Sequence, residues 1–513
     1  MFGTTVSVLR KQADRSPDKE FIVGLETSIS YLAFYRKVNQ YANWLAAQGV
    51  RKGDNVGLLM YNCPELYICI LAIHRLGAIA NLWNFRLTPQ DIARLAKHVD
   101  AKAVVINLEF VGHINTYAGV ILCTAEHNVL PAGIHSVVEI NSMPDIEPLM
   151  ADPEESDLSS VIYTSGTTGN PKGVAYTHQK QLLSAIQYCL EMGLHRGKRG
   201  ITAAPVIHGG AMNFFFAYLF IGGSFIDSGK YSAEHILQLV AEYHATELMA
   251  VPTQILDMLK VAEQKQLSRD QFATLEVIRT AGSPYPKSMV ERVHSVFGCH
   301  LLNTFGMTEN CSNVTSMHSG HDPENAWTTI GKPTYFWDAR VVEVNHVAAK
   351  ADHVVAAPGR GQLIIRGPQN AGQYYLSDKS PLYDDGWLFA RDVVDINQSG
   401  YMQIIDRVDE TILSGGENIY PQEVEMFLKK HPEIEDAAVI GIPDPTWGEM
   451  VVALIVRKHD DLREELVEKY CLESGELARY KRPRKVIFVD ELPKNIFGKT
   501  ERHQLMAKYS PRS

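Results

Sequence analysis

At 513 residues the chain exceeds what one hydrophobic core supports, so two or more domains are expected. Its 45% hydrophobic and 21% charged content is that of a globular enzyme and excludes long disorder, while a net charge of −10 leaves no basic footprint for nucleic acid. Seven scattered cysteines lack metal-type spacing, which argues against a zinc site and for free thiols in a reducing cytoplasm.

Near the start, Lys11, Arg15 and Lys19 mix with acids, so no signal peptide is expected. Phe34, Val38, Tyr41, Ala42 and Leu45 recur at three- and four-residue spacing and predict one buried helical face that runs out at Gly49. The apolar run 55–60 then reads as a strand. Thr88-Pro89-Gln90-Asp91 combines a cap, a first-turn proline and an acidic third position, which opens a helix along Ile92, Leu95, Ala96 and Val99. A buried strand is expected over 103–106. The two most apolar stretches, 66–83 and 211–226, are broken by His74 and Arg75 or by Asn213 and a glycine pair, and read as core helices, not membrane spans. Such alternation predicts an α/β fold with largely parallel sheets. The acidic, proline-bearing segment 143–156 reads as a connector into a loop rich in glycine and hydroxyls at 163–174.

In that loop, Tyr163-Thr164-Ser165-Gly166-Thr167-Thr168-Gly169-Asn170-Pro171-Lys172-Gly173-Val174 concentrates hydroxyls, glycines and a lysine between two apolar runs. Glycine lets backbone N–H groups approach an anion, hydroxyls add uncharged donors and Lys172 adds a point cation, so the stretch is suited to phosphate. It is no Walker loop, because Lys172 leads into a strand-like Val174-Ala175-Tyr176-Thr177 where that motif opens a helix.

The alternation continues to about residue 335, after which β-rich segments 339–344, 362–366 and 402–405 suggest a small barrel-like subdomain. A last unit comes after Asp406-Arg407-Val408-Asp409, with helix expected at 422–430 and 462–471 and strand at 436–442, 450–456 and 485–489. Asn303-Thr304-Phe305-Gly306-Met307-Thr308-Glu309 is a strand end turning into a hydroxyl beside a carboxylate, a pairing that suits Mg²⁺ bridging phosphate oxygens. Asp392 can accept from both ribose hydroxyls, and the terminal Pro493-Lys494-Asn495-Ile496-Phe497-Gly498-Lys499 offers a movable cation for charge gathering on phosphorus.

These segments resemble, in order and along essentially the whole chain, the motifs of the adenylate-forming superfamily of acyl-CoA synthetases, carrier-protein adenylation domains and beetle luciferases. The resemblance implies a large N-terminal adenylation domain over 1–408, with α/β layers and the barrel-like subdomain, and a small mobile α+β lid over 409–513. It implies that Thr164, Ser165, Gly166, Thr167, Thr168, Gly169 and Lys172 hold the ATP phosphates. Asn303, Phe305 and Gly306 would border the adenine, Thr308 would meet phosphate, Glu309 would hold Mg²⁺ and Asp392 with Arg407 would clamp the ribose. Lys499 would catalyse adenylation, Asp409 would be the hinge and Gly415-Gly416 would admit the coenzyme A thiol. His208, Gly209, Met212, Ala281 and Gly282 would line the acyl pocket. One departure is Ala390-Arg391 where the family usually has Thr-Gly before the aspartate.

The implied reaction joins a fatty or aromatic carboxylic acid to coenzyme A through an acyl-adenylate, at the expense of ATP and with Mg²⁺. Activators of α-amino acids place an aspartate near the histidine segment, and none occurs over 205–218, so an unpaired ammonium is disfavoured. The alternatives are a stand-alone enzyme that loads an acyl carrier protein and a nucleotide-binding protein without catalysis. A cytoplasmic location is expected, and the oligomeric state, a homodimer included, is open.

Overall fold

The computed structural model describes residues 3–24, 28–125, 130–164, 172–283, 285–344, 351–382, 384–415, 417–494 and 500–510. By packing, the chain forms two compact units. One comprises Met1–Thr328, Pro333–Asp338 and Arg366–Leu388; the other comprises Thr329–Lys332, Ala339–Ile365 and Phe389–Ser513.

The first unit is built on two large sheets. In the first, strands run in the order Ile134–Ser136, Val120–Cys123, Ala101–Ile106, Asn55–Leu59, Ile79–Leu82, Leu158–Thr164 and Lys172–Thr177. All neighbours are parallel except the last pair, which is a hairpin. The second sheet runs Ser312–His318, His300–Met307, Val277–Ala281, Glu247–Met249, Arg199–Thr202, Ser224–Ile226, Glu20–Val23 and Ile29–Ser30, parallel at its centre and antiparallel at both ends. Residues from both sheets and from the helices Tyr31–Ala47, Pro64–Arg75, His178–Met192 and Gly209–Ile221 merge into one buried cluster, so these helices form a middle layer.

Local chemistry explains the element limits. Thr88 accepts the Asp91 backbone N–H while the Asp91 side chain returns to the Thr88 N–H, the expected capping box before Pro89–His98. Gly209–Ile221 has no polar stripe because the middle layer covers it on all sides, the pattern of a helix buried within a large core. Among the described residues no helix is long and apolar enough to cross a membrane.

The second unit carries a four-stranded sheet, Asp338–Val342, Gly359–Arg366, Leu388–Ile396 and Met402–Arg407, and a C-terminal sheet built around the hairpin Ile434–Asp444 and Gly448–Arg457. Helices Pro421–Leu428, Glu464–Glu473 and Arg502–Tyr509 complete it. By packing, most of the four-stranded sheet groups with the C-terminal sheet. Two contacts explain this grouping: Arg360 forks between Asp395 at 2.7 Å and Glu423 at 3.4 Å, and Asp406 accepts the Gln422 N–H at 2.6 Å, at the start of Pro421–Leu428.

Candidate active site

The phosphate-loop residues Ser165, Gly166, Thr167, Thr168 and Gly169 lie outside the described residues, and only the backbone of Thr164 is described. The structure does describe their frame: Leu158–Thr164 and Lys172–Thr177 pair antiparallel with Thr164 opposite Lys172. The lysine therefore stands at the root of the loop. Gly173 is tightly enclosed, since a Cβ there would lie 3.0 Å from Val161, 3.1 Å from the Tyr163 ring and 3.2 Å from Tyr375.

A segment that no sequence motif marks binds this hairpin to the second nucleotide motif. Tyr375 N–H donates to the Gly173 carbonyl at 2.7 Å, the Lys172 ammonium sits 5.3 Å from the Tyr374 ring centroid, and the Tyr374 hydroxyl donates to Glu309 Oε1 at 3.1 Å. Ala371 N–H adds a bond to the Glu309 carbonyl at 2.7 Å. Residues 371–375 thus hold the lysine and the carboxylate in one neighbourhood. A cleft of about 420 Å³ opens beside them, lined by Ala175, Gln373, Tyr374, Tyr375, Leu376 and neighbours. Nothing in the periodicity of the sequence signals these residues; the Tyr374-Tyr375 pair in a polar loop is their one visible sign.

The second nucleotide motif occupies the end of His300–Met307. Asn303 and Phe305 are buried, Gly306 is exposed, and Thr308 and Glu309 are half-buried in a tight 3₁₀ turn, Thr308–Asn310. Asn310 closes the turn by accepting the Met307 N–H at 3.1 Å. Tyr176, on the hairpin strand, donates to the Thr308 carbonyl at 2.9 Å. Strand ends of an open parallel sheet are where ligands collect, and the motif lies at such an end.

The acyl-pocket candidates converge on the same strand ends. His208 caps the helix Gly209–Ile221, and a Cβ on Gly209 would stand 2.8 Å from the Tyr176 hydroxyl. Burial lowers the His208 imidazole to about 4, with Arg86 adding repulsion, so the ring is neutral at pH 7. Met212 lies within the buried cluster. Ala281 is paired with Thr304, and Gly282 turns away with φ +95° and nothing within 4 Å of a Cβ, facing open space.

In the second unit, Asp392 and Arg407 are cross-strand partners, 3.8 Å apart between Oδ1 and Nη1, and Arg407 Nε donates to Asp409 Oδ1 at 3.1 Å. Burial opposes the Arg407 charge, yet Asp392 and Asp409 outweigh it and raise the guanidinium above its usual range. Arg391 holds φ +58°, the left-handed conformation that glycine adopts without strain, and reaches Asp409 at 3.9 Å. The arginine thus keeps a glycine-like backbone. Gly415, φ +61°, donates its N–H to the Trp447 carbonyl at 2.8 Å. Gly416 and Lys499 lie outside the described residues.

Comparison with known proteins decides the family. The model for an AMP-binding enzyme matches residues 9–375, and that for the AMP-binding enzyme C-terminal domain matches 423–499. The chain belongs to the AMP-binding enzymes. This AMP-binding enzyme is 30% identical over 504 residues to a 2-succinylbenzoate–CoA ligase of Geobacillus sp. (strain WCH70), covering 97% of this chain and 96% of that one. Among solved structures, o-succinylbenzoate CoA synthetase from Bacillus subtilis with its acyl-adenylate intermediate matches with a TM-score of 0.83 at 25% identity, covering 99% of this chain and 98% of that chain. ATP-bound MatB from Rhodopseudomonas palustris matches with 0.86 at 26%, covering 98% and 99% respectively. The enzyme is an ATP-dependent carboxylate–CoA ligase that works through an acyl-adenylate, with a small carboxylic acid, ATP and coenzyme A as its substrates.

Proposed function

We propose that this AMP-binding enzyme activates an aromatic carboxylic acid. The observation that carries the reading is full-length similarity to 2-succinylbenzoate–CoA ligases, together with a candidate pocket wall of small residues, Ala281 and Gly282, facing open space. The first step joins the acid carboxylate to the α-phosphorus of ATP and releases pyrophosphate; the second lets the coenzyme A thiol attack the acyl carbon and release AMP.

Each step draws on residues of this chain. The phosphate loop with Lys172 orients the triphosphate, Phe305 borders the adenine, and Asp392 accepts from the ribose hydroxyls with Arg407 holding its carboxylate in place. Lys499 carries the cation that offsets charge on the pentacoordinate phosphorus. Thr308 donates to a phosphate oxygen. Glu309 suits a hard divalent ion: it is a half-buried carboxylate oriented by Tyr374, beside the Thr308 hydroxyl. Mg²⁺ bound there supplies charge neutralisation to the phosphates. His208, neutral at pH 7, borders the acid without adding charge. Between the steps the C-terminal part turns about Asp409, withdrawing Lys499 and presenting Gly415-Gly416 to the pantetheine.

The test is pyrophosphate release from ATP across aryl, fatty and amino acids, with and without coenzyme A, while thioester is followed. Thioester with aryl acids at kcat/KM well above fatty acids is the expected outcome. A fatty-acid preference would overturn the aromatic reading, and pyrophosphate without thioester would move the acceptor to a carrier protein.

A further inference from the structure

Two polar side chains lie buried in the middle layer of helices, where apolar residues would pack as well. Asn213 belongs to Gly209–Ile221, whose other side chains are apolar but for Tyr218, and Ser184 belongs to His178–Met192. An asparagine among apolar neighbours is costly unless its amide is bonded, and its Oδ1 finds no partner among the described residues. The other end of the amide offsets that cost, because Nδ2 donates to the Cys311 carbonyl. Ser184 Oγ donates to the same oxygen at 2.7 Å. A carbonyl oxygen has two lone pairs, so each helix takes one and the peptide that follows Cys311 is fixed in direction.

Cys311 is a residue that needs such a hold. Its φ of +57° lies in the left-handed region, which a side chain with a Cβ adopts only at a cost. It ends the turn Thr308–Asn310, and its N–H donates to the Thr308 carbonyl at 3.1 Å, the same oxygen that accepts the Tyr176 hydroxyl. A Cys311 relaxed to an extended or right-handed backbone would lose that closing bond. Thr308 and Glu309 would then leave the places where Tyr176 and Tyr374 meet them.

We propose that Asn213 and Ser184 are positioning residues of the nucleotide site: by holding Cys311 left-handed they set the turn that presents the Thr308 hydroxyl and the Glu309 carboxylate. The proposal rests on the reading of Glu309 as the carboxylate for Mg²⁺. Asn213 follows Met212 on the helix that His208 caps, so one helix borders the acid with its first turns and grips the nucleotide turn from the next position.

The test reads binding before turnover. Titration calorimetry with α,β-methylene ATP, in Mg²⁺ and in EDTA, gives the gain in affinity that the metal brings, and Glu309→Gln marks how much of it passes through that carboxylate. Asn213→Leu, of similar volume, is expected to lose roughly fivefold or more of the gain while the affinity in EDTA stays unchanged. Adding Cys311→Gly should restore most of it, because glycine holds the left-handed backbone unaided, whereas adding Cys311→Ala should not. A bond that served only helix packing would not be rescued in that pattern. An unchanged gain in Asn213→Leu, or a loss that Cys311→Gly fails to restore, would overturn the proposal. Should Glu309→Gln keep the full gain, the metal role in the proposed function falls, and kcat for pyrophosphate release decides the rest. A kcat loss in Asn213→Leu that Cys311→Gly restores still upholds the hold on the turn, through Thr308, and a loss it does not restore overturns it. If Asn213→Leu fails to fold, Ser184→Ala, which removes a single hydroxyl, is measured in its place.

Discussion

Single residues set the chemistry through few contacts, and their removal has calculable signs. Tyr374 orients Glu309 with one hydroxyl at 3.1 Å. Losing a hydrogen bond to a charged group costs about 1.5–3 kcal/mol when buried and less where water replaces it. For the half-buried Glu309, Tyr374→Phe is expected to raise the Mg²⁺ concentration for half-maximal pyrophosphate release by roughly five- to tenfold, with little change in the affinity for the acid. An unchanged Mg²⁺ dependence would separate Tyr374 from the metal. His208 supplies a pH dependence. Its folded value of about 4 lies below the ordinary 6.5, so the unfolded chain binds the extra proton and stability is lost as pH falls from 6.5 through about 4. His178, also lowered to about 4 by burial, acts in the same sense. Urea unfolding of His208→Asn across this range should show a shallower acid slope than the parent, and an identical slope would exclude a buried neutral imidazole.

At the scale of elements, the site is a junction of strand ends, a hairpin and one helix N-terminus. Gly209 is where the helix meets the hairpin, and its missing Cβ leaves room for the Tyr176 hydroxyl that bonds Thr308. Gly209→Ala gains up to about 1 kcal/mol of helix propensity. It also forces Tyr176 aside, a cost of about 1–3 kcal/mol for overpacking. The expected net result is a lower thermal midpoint and a loss of pyrophosphate release; a variant with raised stability and full activity would show that Tyr176 moves without consequence. Much of this junction is legible in the sequence. The helix opening at Pro89, the strand after Lys172 and the order of elements in the C-terminal unit emerge from caps, glycines and apolar periodicity, and the observed Pro421–Leu428, Ile434–Asp444, Gly448–Arg457, Glu464–Glu473 and Lys485–Phe488 match the expected order of types. The 371–375 segment and the hold on Cys311 are not legible there. Both act through tertiary neighbours that no local period encodes: Asn213 reads in sequence as a break in an apolar run until the fold places it against the Cys311 carbonyl.

For the molecule as a whole, the proposed reaction has two steps, and Asp409 is the pivot proposed between them. Arg407 and Arg391 both approach Asp409, at 3.1 and 3.9 Å, so the proposed pivot is held by charges from its own unit. Arg391 does so from a left-handed backbone that costs a non-glycine residue about 1 kcal/mol or more. Its exposed ion pair returns little. Arg391→Gly is therefore expected to be neutral to mildly stabilising while freeing Asp409 to turn. Asp409→Pro has the opposite design: it stiffens the 3₁₀ turn Val408–Glu410 without removing Arg407 from Asp392. If the enzyme alternates between two arrangements of its C-terminal part, Asp409→Pro should retain pyrophosphate release and lose thioester formation from supplied acyl-adenylate by at least tenfold. Lys499→Ala should show the reverse, sparing the second half-reaction. Equal losses in both half-reactions for either variant would mean that one arrangement serves both steps, and the glycine-like backbone at Arg391 would then need a local explanation in the strand Leu388–Ile396.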